Sequence, residues 1–267
     1  MDPDNITPEE NTTAADQPEA PATRYYGKAV ALVAAAGAGH RLGADKPKAF
    51  VELGEHTILQ HCLLNIAASG VFEEIVVMAS FEMCSLAIDQ STALELDIPV
   101  KVYPGGVLRS DSVFEGIKRI MANDENDPVS IIAVHDAARC LTPPKLFADV
   151  VEKTRLLMTV NNPGAVIPAL PVTDTIKMVD SVGNVIGTPD RSRLRAIQTP
   201  QAFDAKLLSK IHEQAAAEDI NTTDDAALFE RFGITVMTVE GDRRAFKITN
   251  PEDLALANIY MNQDEND

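Results

Sequence analysis

The chain has 267 residues, 45% of them apolar and 24% charged, which supplies one large core or two modest ones and excludes a disordered or fibrous protein. Lys and Arg number 23 against 40 Asp and Glu, a net charge of -17 that repels polyanions, argues against general nucleic-acid binding and requires any phosphate to be held locally. The longest small-and-apolar run, Ala29 to Gly39, is about half of the roughly 20 residues needed to span a bilayer, so no transmembrane helix is expected.

Residues 1–23 carry six acids, no base, four prolines and a single bulky aliphatic, Ile6. They cannot bury enough surface to offset the entropy of ordering and are expected to form a disordered acidic tail. The stretch lacks the basic start and apolar middle of a secretory signal and the arginines of a transit peptide, so a cytoplasmic protein is expected. Cys62, Cys84 and Cys140 are too few and scattered for a disulfide framework or zinc cluster, and Cys62 and Cys84 read as small core residues.

From Lys28 onward, short Val/Ile/Ala-rich runs alternate with amphipathic stretches of helical length. This predicts an α/β fold, a Rossmann-like mostly parallel sheet with helices on both faces, forming a single domain over 24–263. Strands are predicted at Lys28–Ala34, Glu74–Ala79, Val100–Tyr103, Ser130–His135, Gly164–Pro168 and Thr235–Glu240. Helices are predicted at Ile58–Ala68, Phe81–Leu94, Ser112–Met121, Lys145–Leu157, Ala205–Ala217, Asp225–Phe232 and Pro251–Tyr260. Thr173–Arg191 interrupts the alternation, with two β runs around Asp180–Asn184 forming an inserted hairpin arm over about 171–192. The arm has little apolar surface of its own and an isolated hairpin is marginal in water, so it is expected to pack on a second subunit or, alternatively, on its own domain.

The first strand runs into a loop, Ala34 to Lys48, that contains Gly37, Gly39, Arg41 and Pro47–Lys48. Small residues allow close approach of a nucleotide to the backbone, and successive N–H groups can cradle an anion. The dinucleotide fingerprint would need glycine where Leu42 stands, and no Walker Gly-Lys-Ser/Thr is present. Two cations, Arg41 and Lys48, lie in the loop at the carboxyl end of the first strand, where open α/β sheets bind ligands, so polyphosphate fits better than nicotinamide. Asp136, at a strand end, can meet ribose or substrate hydroxyls, or a metal through water, or else cap the next segment.

Further motifs follow in order: Val134-His135-Asp136-Ala137-Ala138-Arg139, Asp174-Thr175, Thr199-Pro200-Gln201, Thr223-Asp224, and Lys247-Ile248-Thr249 with Pro251-Glu252-Asp253-Leu254. Together with the Ala-Ala-Ala-Gly-x-Gly-x-Arg loop they resemble the 2-C-methyl-D-erythritol 4-phosphate cytidylyltransferase family over roughly 28–261. The resemblance implies the nucleotidyltransferase fold, CTP and methylerythritol phosphate as substrates, and Mg2+ held mainly by the CTP phosphates; the homodimer joined through the arm is expected from the arm itself. It implies that Arg41 and Lys48 stabilise the transition state while Arg191 and Lys247 position the alcohol phosphate. It further implies that Ala35, Ala36, Gly37, Gly39, Gly106, Ser112 and Asp136 meet CTP. Asp136, Arg139, Thr175 and Thr199 would meet the alcohol phosphate. The three last-named side chains are equally suited to turn or cap roles, and Gly105–Gly106 to an ordinary strand-to-helix turn.

The chemistry agrees with the resemblance without depending on it. A phosphomonoester with a second pKa of about 6 is already an anionic nucleophile at neutral pH, so the reaction needs cations that bring two polyanions together and no histidine base. His40 stands where the family often has a base, Val107 where it often has an acid, and Cys140 where proline is common. Two alternatives remain: ribitol 5-phosphate cytidylyltransferase, and a non-catalytic nucleotide-binding protein on the same scaffold.

Overall fold

The protein is described from a computed structural model, which covers residues 27–37, 46–122, 128–160, 162, 164–220 and 222–264. The expected acidic tail, Gly39, His40 and Arg41 lie outside the described residues. In chain order the elements are β1 (Lys28–Ala34), β2 (Glu52–Leu53), β3 (His56–Thr57), α1 (Ile58–Ala68), β4 (Glu74–Ala79), α2 (Cys84–Thr92), β5 (Val100–Pro104), α3 (Arg109–Met121), β6 (Val129–Asp136) and α4 (Pro144–Thr159). Then come β7 (Ala165–Pro171), β8 (Met178–Val179), β9 (Val185–Gly187), β10 (Arg195–Ile197), β11 (Gln201–Asp204), α5 (Ala205–Ala217), α6 (Asp225–Arg231), β12 (Val236–Glu240) and α7 (Pro251–Asp264).

The central sheet has eight strands in the order β10-β7-β11-β6-β1-β4-β5, with β12 also paired to β7. Strand pairs β6–β1, β1–β4, β4–β5 and β7–β12 are parallel. The side-chain period of two explains why near-continuous apolar runs form these strands: alternate residues go to opposite faces and both faces are covered. Ala29, Ala31 and Val33 of β1, with Ile75 and Val77 of β4, face a core that α1 and α4 complete. Val30 and Leu32, with Val76 and Met78, face a second core under α3, α5 and α6. No helix among the described residues is long and apolar enough to cross a membrane.

Several boundaries move from their expected positions. Strand β11 runs antiparallel between β6 and β7, and β10 pairs antiparallel with β7, so the sheet is mixed. That pairing joins Ile197 to Ala169 and Arg195 to Pro171, which carries β7 beyond the expected end at Pro168. Helix α3 begins at Arg109 instead of Ser112, and the Asp111 carboxylate accepts the Leu108 N–H at 3.2 Å just ahead of it. The expected helix Phe81–Leu94 divides into a 3-10 turn, Phe81–Met83, and α2. Cys62 is buried as expected, whereas Cys84 is only half-buried, with its thiol 3.4 Å from the Ser80 carbonyl oxygen.

The arm is a separate two-stranded sheet, β8 against β9. Its tip is closed by Asp180, whose Oδ1 accepts the N–H groups of Val182 at 3.0 Å and Asn184 at 2.8 Å. Gly183 has φ +92°, in the region that favours glycine. The expectation of little apolar surface is corrected here: Met178, Val179, Val182, Val185 and Ile186 are all at least 51% exposed. These side chains alternate around a ribbon too short to cover them, and none of the described residues buries the surface they make.

Candidate active site

A cavity of about 500 Å3 opens at the carboxyl ends of the parallel strands. Its lining comes from the end of β1 (Ala34–Gly37), Lys48 and Ala49, the β5–α3 turn with Arg109 and Ser112, the end of β6 (Asp136–Ala138), and Lys247. Lys48 opens a 3-10 turn after Pro47, and the buried Ala49 and Phe50 anchor that turn to the core. The β5–α3 turn is tight: Ser112 Oγ accepts the Gly106 N–H at 3.0 Å, and a Cβ on Gly105 would come within 2.6 Å of that oxygen. A Cβ on Gly106 would collide with Asp111.

Lys247 lies in the connector after β12, which ends at Glu240. Two contacts bring this connector across β6: the Ile248 N–H donates to the Ala138 carbonyl at 2.9 Å, and the Arg139 guanidinium donates to the Ala245 carbonyl at 2.7 Å. Lys247 Nζ thereby sits 2.7 Å from Asp136 Oδ2, while Arg109 Nε sits 2.9 Å from Asp136 Oδ1. A second nitrogen of Arg109 reaches Asp225 Oδ2 at 2.9 Å, and His212 Nε2 is 3.3 Å from the other oxygen of Asp225. Burial alone would raise the pKa of Asp136, but Arg109 and Lys247 outweigh it and hold the carboxyl well below its ordinary range. Asp225 behaves alike: burial opposes ionisation, and His212 and Arg109 overcome it.

Among the described residues the lining thus contains three cations, Lys48, Arg109 and Lys247, against one carboxylate, Asp136. On a molecule of net charge -17 this is a local positive nest. Low local dielectric strengthens its attraction for a polyanion. A metal cage built from the protein alone does not fit: among the described residues no group of three His, Cys, Asp or Glu side chains converges. A lone carboxylate beside a polyphosphate cradle does fit Mg2+, which commonly arrives with its nucleotide and keeps few protein ligands.

Of the residues expected to act, Ala35, Ala36, Gly37, Lys48, Gly106, Ser112, Asp136 and Lys247 converge on the cavity. The Ser112 hydroxyl is spent within its turn, 1% exposed and bonded to the Leu108 carbonyl at 3.1 Å. Thr199 is buried beside the cavity floor, where its hydroxyl accepts the Asp136 N–H at 3.1 Å and meets His135 Nδ1 at 3.0 Å. Burial lowers the His135 pKa to about 3, so that ring is neutral at pH 7. Arg139 clamps the Ala245 and Ile197 carbonyls, and its Nε is buried with no partner among the described residues.

Arg191 and Thr175 do not join the cavity. Both are exposed at the base of the arm, where the Arg191 guanidinium donates to the Thr173 carbonyl at 2.5 Å. Val107 is 98% exposed on the cavity rim, and Cys140 is a core thiol pushed up to about 12 by burial. Arg109 was absent from the expected set. The structure places it at the start of α3, where the macrodipole disfavours a cation and carboxylate neighbours offset that cost.

The chain matches the model of the IspD family, 2-C-methyl-D-erythritol 4-phosphate cytidylyltransferase, over residues 29–263. It is 47% identical over 237 residues to the enzyme of that name from Rhodococcus jostii, covering 89% of this chain and 96% of the relative. It is 42% identical over 247 residues to the one from Corynebacterium diphtheriae, covering 89% and 95%. Among solved structures, 4-diphosphocytidyl-2C-methyl-D-erythritol synthase from Anaerococcus prevotii superposes with a TM-score of 0.74 at 29% identity, covering 88% of this chain and 96% of that one. The enzyme from Thermus thermophilus gives 0.65 at 28% identity, covering 86% and 98%. With fold and sequence in agreement over the same span, the chain belongs to the 2-C-methyl-D-erythritol 4-phosphate cytidylyltransferase family and is a nucleotidyltransferase.

Proposed function

We propose that the chain transfers CMP from CTP to the phosphate of 2-C-methyl-D-erythritol 4-phosphate, releasing pyrophosphate, and that it does so as a cytoplasmic homodimer. The observation that carries this reading is the convergence of Lys48, Arg109 and Lys247 with Asp136 at the carboxyl end of β1. The alcohol phosphate is largely dianionic at neutral pH, so its oxygen attacks the α-phosphorus while the bond to pyrophosphate breaks, and no side chain need remove a proton. Lys48 neutralises charge developing on the triphosphate, and Lys247 orients the incoming phosphate as a mobile point charge. Arg41 is assigned to the triphosphate with Lys48, and Ala35, Ala36, Gly37, Gly39 and Gly106 to close backbone approach of the nucleotide. Asp136 is the carboxylate nearest the triphosphate, and Mg2+ arriving with CTP would supply further charge neutralisation there.

The arm is assigned to a second copy. Its row of exposed apolar side chains is the kind of surface that a monomer rarely keeps, and two copies would cover it mutually. Arg191 and Thr175 are assigned to the alcohol phosphate, reaching a cavity across the dimer, while Arg139 and Thr199, expected to share that contact, are assigned to holding the Lys247 connector and Asp136 in place beside it. The purified chain given CTP, Mg2+ and methylerythritol phosphate is expected to release pyrophosphate. No release, or faster release with ribitol 5-phosphate in a parallel reaction, overturns the reading.

A further inference from the structure

Asp136 shares itself between two cations held in different ways. Lys247 touches it with one nitrogen from a connector, and its side chain is 41% exposed. Arg109 is fastened at both ends, to Asp136 Oδ1 and to Asp225 Oδ2, each at 2.9 Å. Asp225 is itself 4% exposed at the side chain and backed by His212 from α5, with the Phe114 ring stacked on that histidine at 5.8 Å. The guanidinium thus ties the start of α3 to the end of β6 and the start of α6, whereas the ammonium is tied to β6 alone among the described residues.

We propose that Arg109 is a positioning residue that keeps Asp136 neutralised and fixed while Lys247 leaves it to meet the substrate phosphates. The claim rests on the function proposed above and deepens it. A buried carboxylate with one counterion holds that counterion tightly, because separating them leaves an uncompensated charge in low dielectric. Given a second, permanent partner, the carboxylate releases the first at lower cost. The geometry meets that requirement: the planar fork of Arg109 spans two carboxylates at once, which the single nitrogen of a lysine cannot do. Asp225 holds the fork in place and prevents Arg109 from following Lys247 toward the ligand.

The test is steady-state turnover with CTP, Mg2+ and methylerythritol phosphate in Arg109→Gln, Arg109→Lys, Asp225→Asn and Lys247→Ala, with thermal melting of each. Arg109→Gln is expected to lower kcat by at least about tenfold while each KM stays within about threefold, because bound substrates wait on a pinned Lys247. Arg109→Lys is expected to recover part of that loss, and Asp225→Asn to show a smaller loss of the same kind. In a Lys247→Ala background, Arg109→Gln is expected to add little, since the group it frees is gone. Unchanged kcat in Arg109→Gln, a loss lodged in KM, or additive effects with Lys247→Ala would overturn the proposal. Should Arg109→Gln fail to fold, Arg109→Lys and Asp225→Asn are judged by the same kcat and additivity criteria. Absence of wild-type turnover sinks the proposed function itself, while normal wild-type turnover lets the variants judge the positioning role alone.

Discussion

The cavity and the arm solve opposite problems. At the carboxyl ends of β1 and β6, charged groups are withdrawn from water and paired closely, with Asp136 and Asp225 each meeting Arg109 at 2.9 Å. In the arm, apolar groups are left in water, with Val182 80% exposed at the tip. Each is costly in isolation, and the difference teaches what each awaits. The paired charges are complete within one chain and await a polyanion that can share the cations. The apolar ribbon is left uncovered by the described residues, which is the ground for its proposed pairing with a second copy.

Core truncation should separate the two regions most sharply. Phe203→Ala removes a fully buried ring of β11 that packs at 4.8 Å from Phe229, and urea unfolding should register a loss of about 3–5 kcal/mol. Lys48→Ala leaves the fold intact and should lower kcat by about 10²- to 10³-fold, measured as pyrophosphate release; an unchanged rate would remove Lys48 from the reaction. For the arm, Val179→Asp with Ile186→Asp should convert the proposed dimer to monomer in sedimentation, and an unchanged mass would assign the apolar ribbon to something other than self-association.

Acid distinguishes the regions more gently. The pKa of Asp225 is lowered in the folded chain, so its stabilising contribution is present above the unfolded value of about 3.9 and is lost as pH falls through the folded value. Asp225→Asn should therefore flatten the fall of the urea midpoint below about pH 4, whereas Asp180→Asn at the solvent-screened arm tip should leave that fall as it is. The smallest effect is expected of Val182→Ala, within about 0.5 kcal/mol of the parent in monomer stability, because the side chain touches mostly water.

Much of the scaffold was legible from local pattern. The bounds of β1, β4, α1 and α5 coincide with those read from apolar runs and helical spacing. Strands β10 and β11 were not legible, being three and four residues long, with Arg195 exposed and a buried Gln201 in place of an apolar run. Gln201 serves a neighbour instead: its side chain donates to Asp224 at 2.8 Å, and Asp224 caps α6 by accepting the Ala227 N–H at 3.1 Å. Arg109 escaped notice because α3 was expected to begin three residues later, which put the arginine in a turn where it resembled any solvated cation.

By itself the sequence determined the alternation of strands and helices, the phosphate-friendly glycine loop and the motif residues of the family, since side-chain periodicity and turn chemistry act between near neighbours. Tertiary structure alone decided which charges meet. Arg109 and Asp225 are 116 residues apart in the chain, and Asp136 and Lys247 are 111 apart. Pairings at that separation leave no periodic trace, because they are fixed by how the sheet orders its strands and not by what stands beside each residue.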